Sequence, residues 1–440
     1  MNRRLLLCII CTISSNYTIH ANEFAQRRDY VRDQLSSNSA MMVLTSETYP
    51  RNSDVEHEFR PDSDFWYLSG YPEPEGVLLI INDELSLSHQ LSFDKEAIFV
   101  RPRNPKAEVW TGRRMGIKTV KRELGFEFVF ASDSLKKIFN SVLPFIDTLF
   151  INQQYPPHKN KFLNQHYFLQ NMDLGEIAIQ SAGKIIHPLR HIKSKSEMEL
   201  LQKAIDITGN GLIQAMMRAK PTLTEQQVQA TIEFMFKDEG SERLGFPSII
   251  ASGPNATTLH YTENSAELNR GELLLMDVGA EYQMYTADIT RTIPISGKFN
   301  PIQKWLYNEV LNAQKTAFDS VKIGKTLKDL HRIAKNYLKT NDLDKYFIHG
   351  LGHWLGLDVH DVGGKTALIK VGSVFTIEPG IYIQEDDTIA SEEMRGIGIR
   401  IEDDVLMTET GPVWLSSQVP KEVEDIERIM RRRSRIFKLR

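Results

Sequence analysis

The sequence predicts an α/β domain followed by an α+β domain. Three observations carry this. From 22 to 192, short apolar runs alternate with stretches of helical periodicity. Near Lys193 a helix start appears, with Ser194 and Glu197 at capping-box spacing. From there to residue 440 the order becomes helices, strands, helices, strands, which suits an antiparallel-rich α+β build.

In the first domain, 40–45, 76–81, 97–100 and 142–152 read as strands, and 24–35 and 134–140 as helices. The stretch 61–72, Pro-Asp-Ser-Asp-Phe-Trp-Tyr-Leu-Ser-Gly-Tyr-Pro, is dense in aromatics and turn residues and reads as a packed strand with its turn. In the second, Met198, Leu201, Ile205 and Leu212 recur at helical spacing behind Ser194. A helix follows over 222–239, with Thr222 or Thr224 as N-cap. Strands are expected at 248–252, 272–278 and 285–295, helices at 301–321 and 327–338, and strands again at 374–377, 380–383 and 398–407. The charged end from Lys421 reads as a helix with a solvated, basic tail.

The chain has 440 residues, 41% hydrophobic and 25% charged, an ordinary globular composition with ample length for two cores. A net charge of −4 gives no reason to expect nucleic acid as a partner. Residues 1–21 differ. Arg3 and Arg4 precede an apolar run over 5–13, and Ala21 stands at a small-residue cut position, the pattern of a secretory signal peptide. The run is too short for a transmembrane helix, and no other stretch resembles a span. An exported, periplasmic or secreted protein is therefore expected, and a cytoplasmic one if the leader does not work. Cys8 and Cys11, the two cysteines, both lie in the leader. A mature chain would offer no thiol ligand, so any metal site must use His, Asp and Glu.

Such residues cluster. Glu272-Leu-Leu-Leu-Met-Asp277 is an apolar strand ending in an acid, and Asp288, Thr290 and Thr292 alternate along the next. If these strands pair, Asp277 and Asp288 can face each other. A buried carboxylate pair repels, so a proton or a cation must neutralise it. Three of the chain's 12 histidines, His349, His353 and His360, share one glycine-rich stretch, where the backbone can approach a site closely. Glu378 and Glu402 sit in two further apolar strands, and Glu is rarely buried without a partner. Four carboxylates and one imidazole form a hard, oxygen-rich cage that favours a pair of Mn, Co, Fe or Zn ions.

The order Asp, Asp, His, Glu, Glu resembles the pita-bread metallopeptidases: methionine aminopeptidase, prolidase, aminopeptidase P and the metal-free relative creatinase. The resemblance covers essentially the chain after residue 21. It is close in Ser252-Gly-Pro-Asn-Ala-Thr-Thr-Leu-His260-Tyr-Thr-Glu-Asn, in Asp288-Ile-Thr-Arg-Thr, over 349–363 and over 396–404. Asn52-Ser-Asp, Ser63-Asp-Phe-Trp-Tyr-Leu-Ser-Gly-Tyr and Ala107-Glu-Val-Trp-Thr-Gly-Arg-Arg look like the aminopeptidase P N-terminal domain. Behind the leader read at 1–21, the resemblance implies that N-terminal domain at 22–192 and a pita-bread catalytic domain at 193–440.

It also implies roles. Asp277, Asp288, His353, Glu378 and Glu402 would hold two divalent cations, manganese first, with Co, Fe or Zn as the other choices. A hydroxide between them would attack, with Glu378 as general base. His260 and His360 match histidines around the substrate and leaving group. His349 matches a residue lining the proline pocket, with Tyr382 and Arg400 beside it. The substrate's amino end would lie near Asp277 and Asp54. Trp110 matches a residue that reaches a neighbouring subunit, which implies a homo-oligomer, a dimer or tetramer. The expected activity is release of the first residue from peptides with proline second. Prolidase, with the same cage, remains a rival, as does a non-catalytic peptide-binding module, although such relatives lose ligands. Asn255-Ala-Thr257 fits a glycosylation sequon, but its place beside His260 makes it coincidental.

Overall fold

The computed structural model describes residues 22–45, 47–88, 91–152, 174–432 and 434. The leader and nearly all of the tail beyond Arg432 lie outside the described residues. The chain divides into two compact units, Met1–Pro188 and Leu189–Arg440.

The first unit is built on a mixed six-stranded sheet. Its order is Val129–Ala131, Glu96–Val100, Val77–Ile81, Ser39–Leu44, Thr148–Ile151, Ala178–Ser181. Ser39–Leu44 runs antiparallel to Val77–Ile81 and parallel to Thr148–Ile151. Both central strands are buried at every residue, which is why they read as continuous apolar runs. Helix Leu135–Val142 sends Leu135, Ile138, Phe139 and Val142 onto one face of the sheet, the i, i+3, i+4, i+7 stripe of a half-buried helix.

Two expectations fail here. Residues 61–72 form no strand but the helix Ser63–Ser69. Asp62 accepts a hydrogen bond from the Phe65 backbone N–H at 2.9 Å, a cap worth about 1 kcal/mol. Gly70 closes the helix with φ +65°, where an added Cβ would lie 2.5 Å from the Phe24 ring. The helix is buried nearly all round, so the aromatics Phe65 and Tyr67 that suggested a strand are packed on opposite sides of it. The expected strand 142–152 also shortens. Val142 ends a helix, Leu143–Phe145 is a 3-10 turn, and only Thr148–Ile151 pairs.

In the second unit four helices start on reciprocal caps. Lys195–Arg218 uses Ser194 and Glu197, Glu225–Asp238 uses Thr224 and Gln227, Pro301–Asp319 uses Asn300 and Gln303, and Leu327–Lys339 uses Thr326 and Asp329. Every ladder described in this unit is antiparallel. One sheet has the order Ile249–Ser252, Leu273–Val278, Ile289–Pro294, and another Val374–Ile377, Asp403–Thr408, Gly411–Trp414. Gly380–Ile383 pairs with Ile397–Arg400. Two strands expected as continuous are interrupted: 285–295 breaks at Ala287 and Asp288, and 398–407 breaks at Ile401 and Glu402. The α/β and α+β classes hold; these breaks are the departure that matters for chemistry. Among the described residues no helix is long and apolar enough to cross a membrane.

Candidate functional site

Three of the five expected ligands sit where strands stop. Asp288 precedes Ile289–Pro294, Glu378 lies between Val374–Ile377 and Gly380–Ile383, and Glu402 lies between Ile397–Arg400 and Asp403–Thr408. Asp277 is inside the buried strand Leu273–Val278. The ladder register places Thr290, not Asp288, opposite Asp277, so the two aspartates do not face each other as a cross-strand pair. They meet because Asp288 is released from strand alternation at the break, close enough for the Asp277 carboxylate to push Asp288 up.

A break exposes backbone groups that need partners. The Glu402 N–H donates to the Thr290 carbonyl at 3.1 Å, and the Glu378 N–H to the Leu351 carbonyl at 2.8 Å. The fully buried Arg291 donates from Nη1 to the Glu402 and Thr290 carbonyls at 2.6 and 2.9 Å. Its charge is met by Asp403 Oδ1 at 2.6 Å. Asp404 Oδ2 accepts the Asp288 N–H at 3.3 Å, and Thr290 Oγ1 donates to Glu402 Oε2 at 2.7 Å. Arg291, Asp403, Asp404 and Thr290 thus hold the ligands in place.

His353 arrives on a loop laid along Val374–Ile377. Its N–H donates to Thr376 Oγ1 at 3.2 Å, and the Thr376 N–H returns to its carbonyl at 2.9 Å. Gly352 permits this approach, since an added Cβ would lie 2.1 Å from the Thr376 carbonyl oxygen. The ring Nδ1 faces the Trp354 carbonyl at 3.1 Å and donates to it, which turns Nε2 toward the carboxylates. Nε2 lies 3.3 Å from Asp288 Oδ2, 3.6 Å from Glu378 Oε1 and 3.8 Å from Glu402 Oε1.

The electrostatics call for cations. Burial, then the neighbouring Asp277, Glu378 and Asp404 carboxylates, push Asp288 well above the usual carboxylate range. Burial, then Asp288 and Glu378, do the same to Glu402. Glu378 is raised by burial, against the pull of His353 and Arg400. Asp277 Oδ1, Asp288 Oδ1 and Glu402 Oε1 are buried without a hydrogen-bond partner. Such orphaned acceptors are costly unless something positive meets them. Ligand atoms of Asp288, His353 and Glu402 lie within 4.8 Å of one another. An oxygen-rich set with one imidazole, poised lone pairs and unmet oxygens fits a pair of divalent cations.

The same residues line a pocket of about 580 Å³, with Phe246, Pro247, Ile249, Leu259 and Val359 as apolar wall and His260, His349, His360 and Arg400 as polar contributors. Arg400 is buried and donates from Nη2 to Asp277 Oδ2 at 2.5 Å and from Nη1 to the Tyr382 hydroxyl at 2.8 Å. The Tyr382 hydroxyl faces His349 Nε2 at 2.8 Å, and His349 Nδ1 faces the Gly350 carbonyl at 2.8 Å. Burial, then Arg400, hold His349 down at about 4, so its ring is neutral. Nδ1–H must then donate to Gly350, which leaves Nε2 to accept from Tyr382. All three bonds point the same way.

The His360 ring lies 4.2 Å from that of His353. The protein packed around it, then His353 and His260, lower it to about 4. His260 is exposed at the pocket. Asp54 and Trp110 belong to the first unit. Asp54 is at the exposed turn between Pro50–Asn52 and Val55–Glu56, and Trp110 is 87% exposed on helix Pro105–Thr111. The sequon's Asn255 Nδ2 is engaged with Glu225 Oε1 and the Tyr261 hydroxyl, both at 3.1 Å, which supports reading it as coincidental. Sequence reasoning missed Arg291, Asp403 and Asp404; Thr290 was visible in the 288, 290, 292 alternation but had no assigned partner.

Comparison with known proteins agrees with this geometry. The model of Metallopeptidase family M24 matches residues 199–409, and that of the Aminopeptidase P N-terminal domain matches 24–148. The chain is 37% identical to the Xaa-Pro aminopeptidase of Haemophilus influenzae, over 93% of its own length and 97% of that protein. It is 34% identical to human Xaa-Pro aminopeptidase 3, over 90% and 82% of the two chains. Its structure is similar to that of Escherichia coli aminopeptidase P with the inhibitor Pro-Leu, at a TM-score of 0.83 and 33% identity over 93% and 98% of the chains.

Proposed function

The chain belongs to metallopeptidase family M24, and from that membership we propose that it is an Xaa-Pro aminopeptidase. It releases the first residue of peptides that carry proline second. The observation that carries this reading is the buried cage of four acids and His353, with three unmet oxygens, opening into a pocket of peptide size. Asp277, Asp288, His353, Glu378 and Glu402 would hold two divalent cations, manganese by preference, whose chemistry would be to make a water acidic enough to attack near pH 7 and to polarise the scissile carbonyl.

The chain's own residues do the rest. Glu378 turns Oε1 toward His353 and has Oε2 3.7 Å from His349 Nδ1. A carboxylate at that position can take a proton from the attacking water and return it. His260 and His360 stand on the substrate side and donate hydrogen bonds to the tetrahedral oxygen and to the departing nitrogen. That nitrogen needs a proton to leave as an amine, as in any amide hydrolysis. The Arg400–Tyr382–His349 chain fixes the wall against which the pyrrolidine ring rests. Arg400 also orients Asp277, near which the substrate's amino group lies.

Exposed Trp110 is read as the contact to a neighbouring subunit of a dimer or tetramer, and residues 1–21 as an export signal. Native mass spectrometry of protein from an extracytoplasmic fraction tests both. A monomer, or a chain retaining its leader, would refute the respective reading.

The deciding assay uses metal-stripped enzyme with Xaa-Pro-Yaa tripeptides and Xaa-Pro dipeptides, with and without Mn²⁺. Metal-dependent release of the first residue from tripeptides is expected. Activity on dipeptides alone would make the protein a prolidase. A folded chain inactive with every divalent metal would end the peptidase reading in favour of a binding module.

A further inference from the structure

His260 lies between the strand Ile249–Ser252 and Glu267, on the chain that follows the 3-10 turn Gly253–Thr257. From Thr258 to Ala266 no helix or strand holds it, yet its path sets where His260 stands. One side chain reaches its start, middle and end. Glu225, the first residue of helix Glu225–Asp238, is completely buried. Its Oε1 accepts the Ser252 N–H at 2.7 Å, Ser252 Oγ at 2.8 Å and Asn255 Nδ2 at 3.1 Å. Its Oε2 accepts the Tyr261 hydroxyl at 3.0 Å and the Ala266 N–H at 2.9 Å.

These five donors are all neutral, and all belong to residues 252–266. They use the full acceptor capacity of a carboxylate, about four lone-pair sites. Burying a charge is costly, and hydrogen bonds to a charged acceptor are about twice as strong as neutral ones. A capped helix start needs none of this, because Thr224 and Gln227 already cap it. The carboxylate is oriented away from its own helix and toward the loop.

We propose that Glu225 is a positioning residue that holds the 252–266 loop so that His260 meets the substrate over the cage. It touches no reacting atom and acts through Tyr261, the neighbour of His260. The inference rests on the reading of His260 as a substrate-side group of an Xaa-Pro aminopeptidase.

The test is a double-mutant cycle of Glu225→Gln with His260→Ala, on the metal-loaded enzyme and an Xaa-Pro-Yaa tripeptide. Glu225→Gln keeps the shape but removes the charge and one acceptor. Its kcat is expected to fall about 10- to 100-fold, the scale of a misplaced group, with KM and metal content near wild type. In the His260→Ala background that loss should all but vanish. Tyr261→Phe deletes a single donor and leaves the buried charge in place. It should act in the same direction, more weakly, with the same dependence on His260. Hydrogen exchange should quicken in peptides covering 252–266 in Glu225→Gln. If Glu225→Gln and Tyr261→Phe cost as much without His260 as with it, Glu225 is merely structural and the proposal fails. It fails equally if His260→Ala is neutral. A wild-type enzyme inactive on these peptides overturns the functional reading first, and is seen before any variant is made.

Discussion

Glu378→Gln is expected to lower kcat/KM on an Xaa-Pro-Yaa tripeptide by about 1,000-fold or more, nearly all of it in kcat. Two losses combine at this residue. A glutamine amide cannot accept the proton that the carboxylate takes, and it is a poorer ligand beside His353 Nε2. The same change should stabilise the metal-free protein. Glu378 is one of the charges that push Asp288 and Glu402 up, so its removal relieves repulsion at a buried site. A gain of about 1 kcal/mol would raise the melting temperature by roughly 2–4 °C for a domain of this size. Steady-state kinetics and calorimetry on the metal-free variant read the two effects separately. A variant keeping a tenth of wild-type kcat would remove Glu378 from the role of base. One whose metal-free form melts lower would show the carboxylate to be a structural support.

Much of the cage was legible because acids interrupting apolar strands are chemically conspicuous. Asp277, Glu378 and Glu402 stand out against Leu-Leu-Leu-Met, Phe-Thr-Ile and Ile-Arg-Ile. The capping residue Ser194 was equally local, and its helix starts where it predicts; of Thr222 and Thr224, both open from the sequence, Thr224 is the cap and the helix starts at Glu225 rather than at 222. The strand breaks were not legible. Hydrophobic alternation runs on through Ala287 and Ile401, and only Pro379 marks one of the interruptions. The groups that make the breaks tolerable come from far away. Thr290 reaches Glu402 across 112 positions, and Arg291 reaches Asp403 across the same separation. No short-range pattern encodes such a pairing; register and burial decide it. The helix Ser63–Ser69 is the opposite case. Its cap Asp62 and its stop Gly70 were in plain view, but the density of aromatics outweighed them.

Removing the metals is expected to create a stability deficit that grows with pH. In the folded metal-free protein, Asp288 and Glu402 sit well above the usual carboxylate range and Glu378 is also raised. Unfolded, they titrate near their ordinary values of about 4. Between that pH and the raised values, the folded state holds protons the unfolded state has released. Stability is therefore full below about pH 4 on this account and falls as pH rises through the raised pKa values. Cations replace those protons and bind better as the ligands deprotonate, so the loaded protein escapes the decline. At a free metal concentration of 100 times Kd, the difference reaches about 2.7 kcal/mol.

Asp361 titrates in the opposite sense. Burial would raise it, but Lys193 Nζ at 2.8 Å and Arg190 outweigh that and hold it at about 2. Its contribution is present above about pH 4 and is lost as pH falls toward 2, with or without metal. Melting temperatures of chelated and Mn²⁺-loaded protein should thus fall together on the acid side and diverge toward pH 8. Parallel curves from pH 5 to 8 would mean that the four carboxylates are not what the cations neutralise. A chelated protein most stable at pH 8 would overturn the assignment of raised pKa values to the cage.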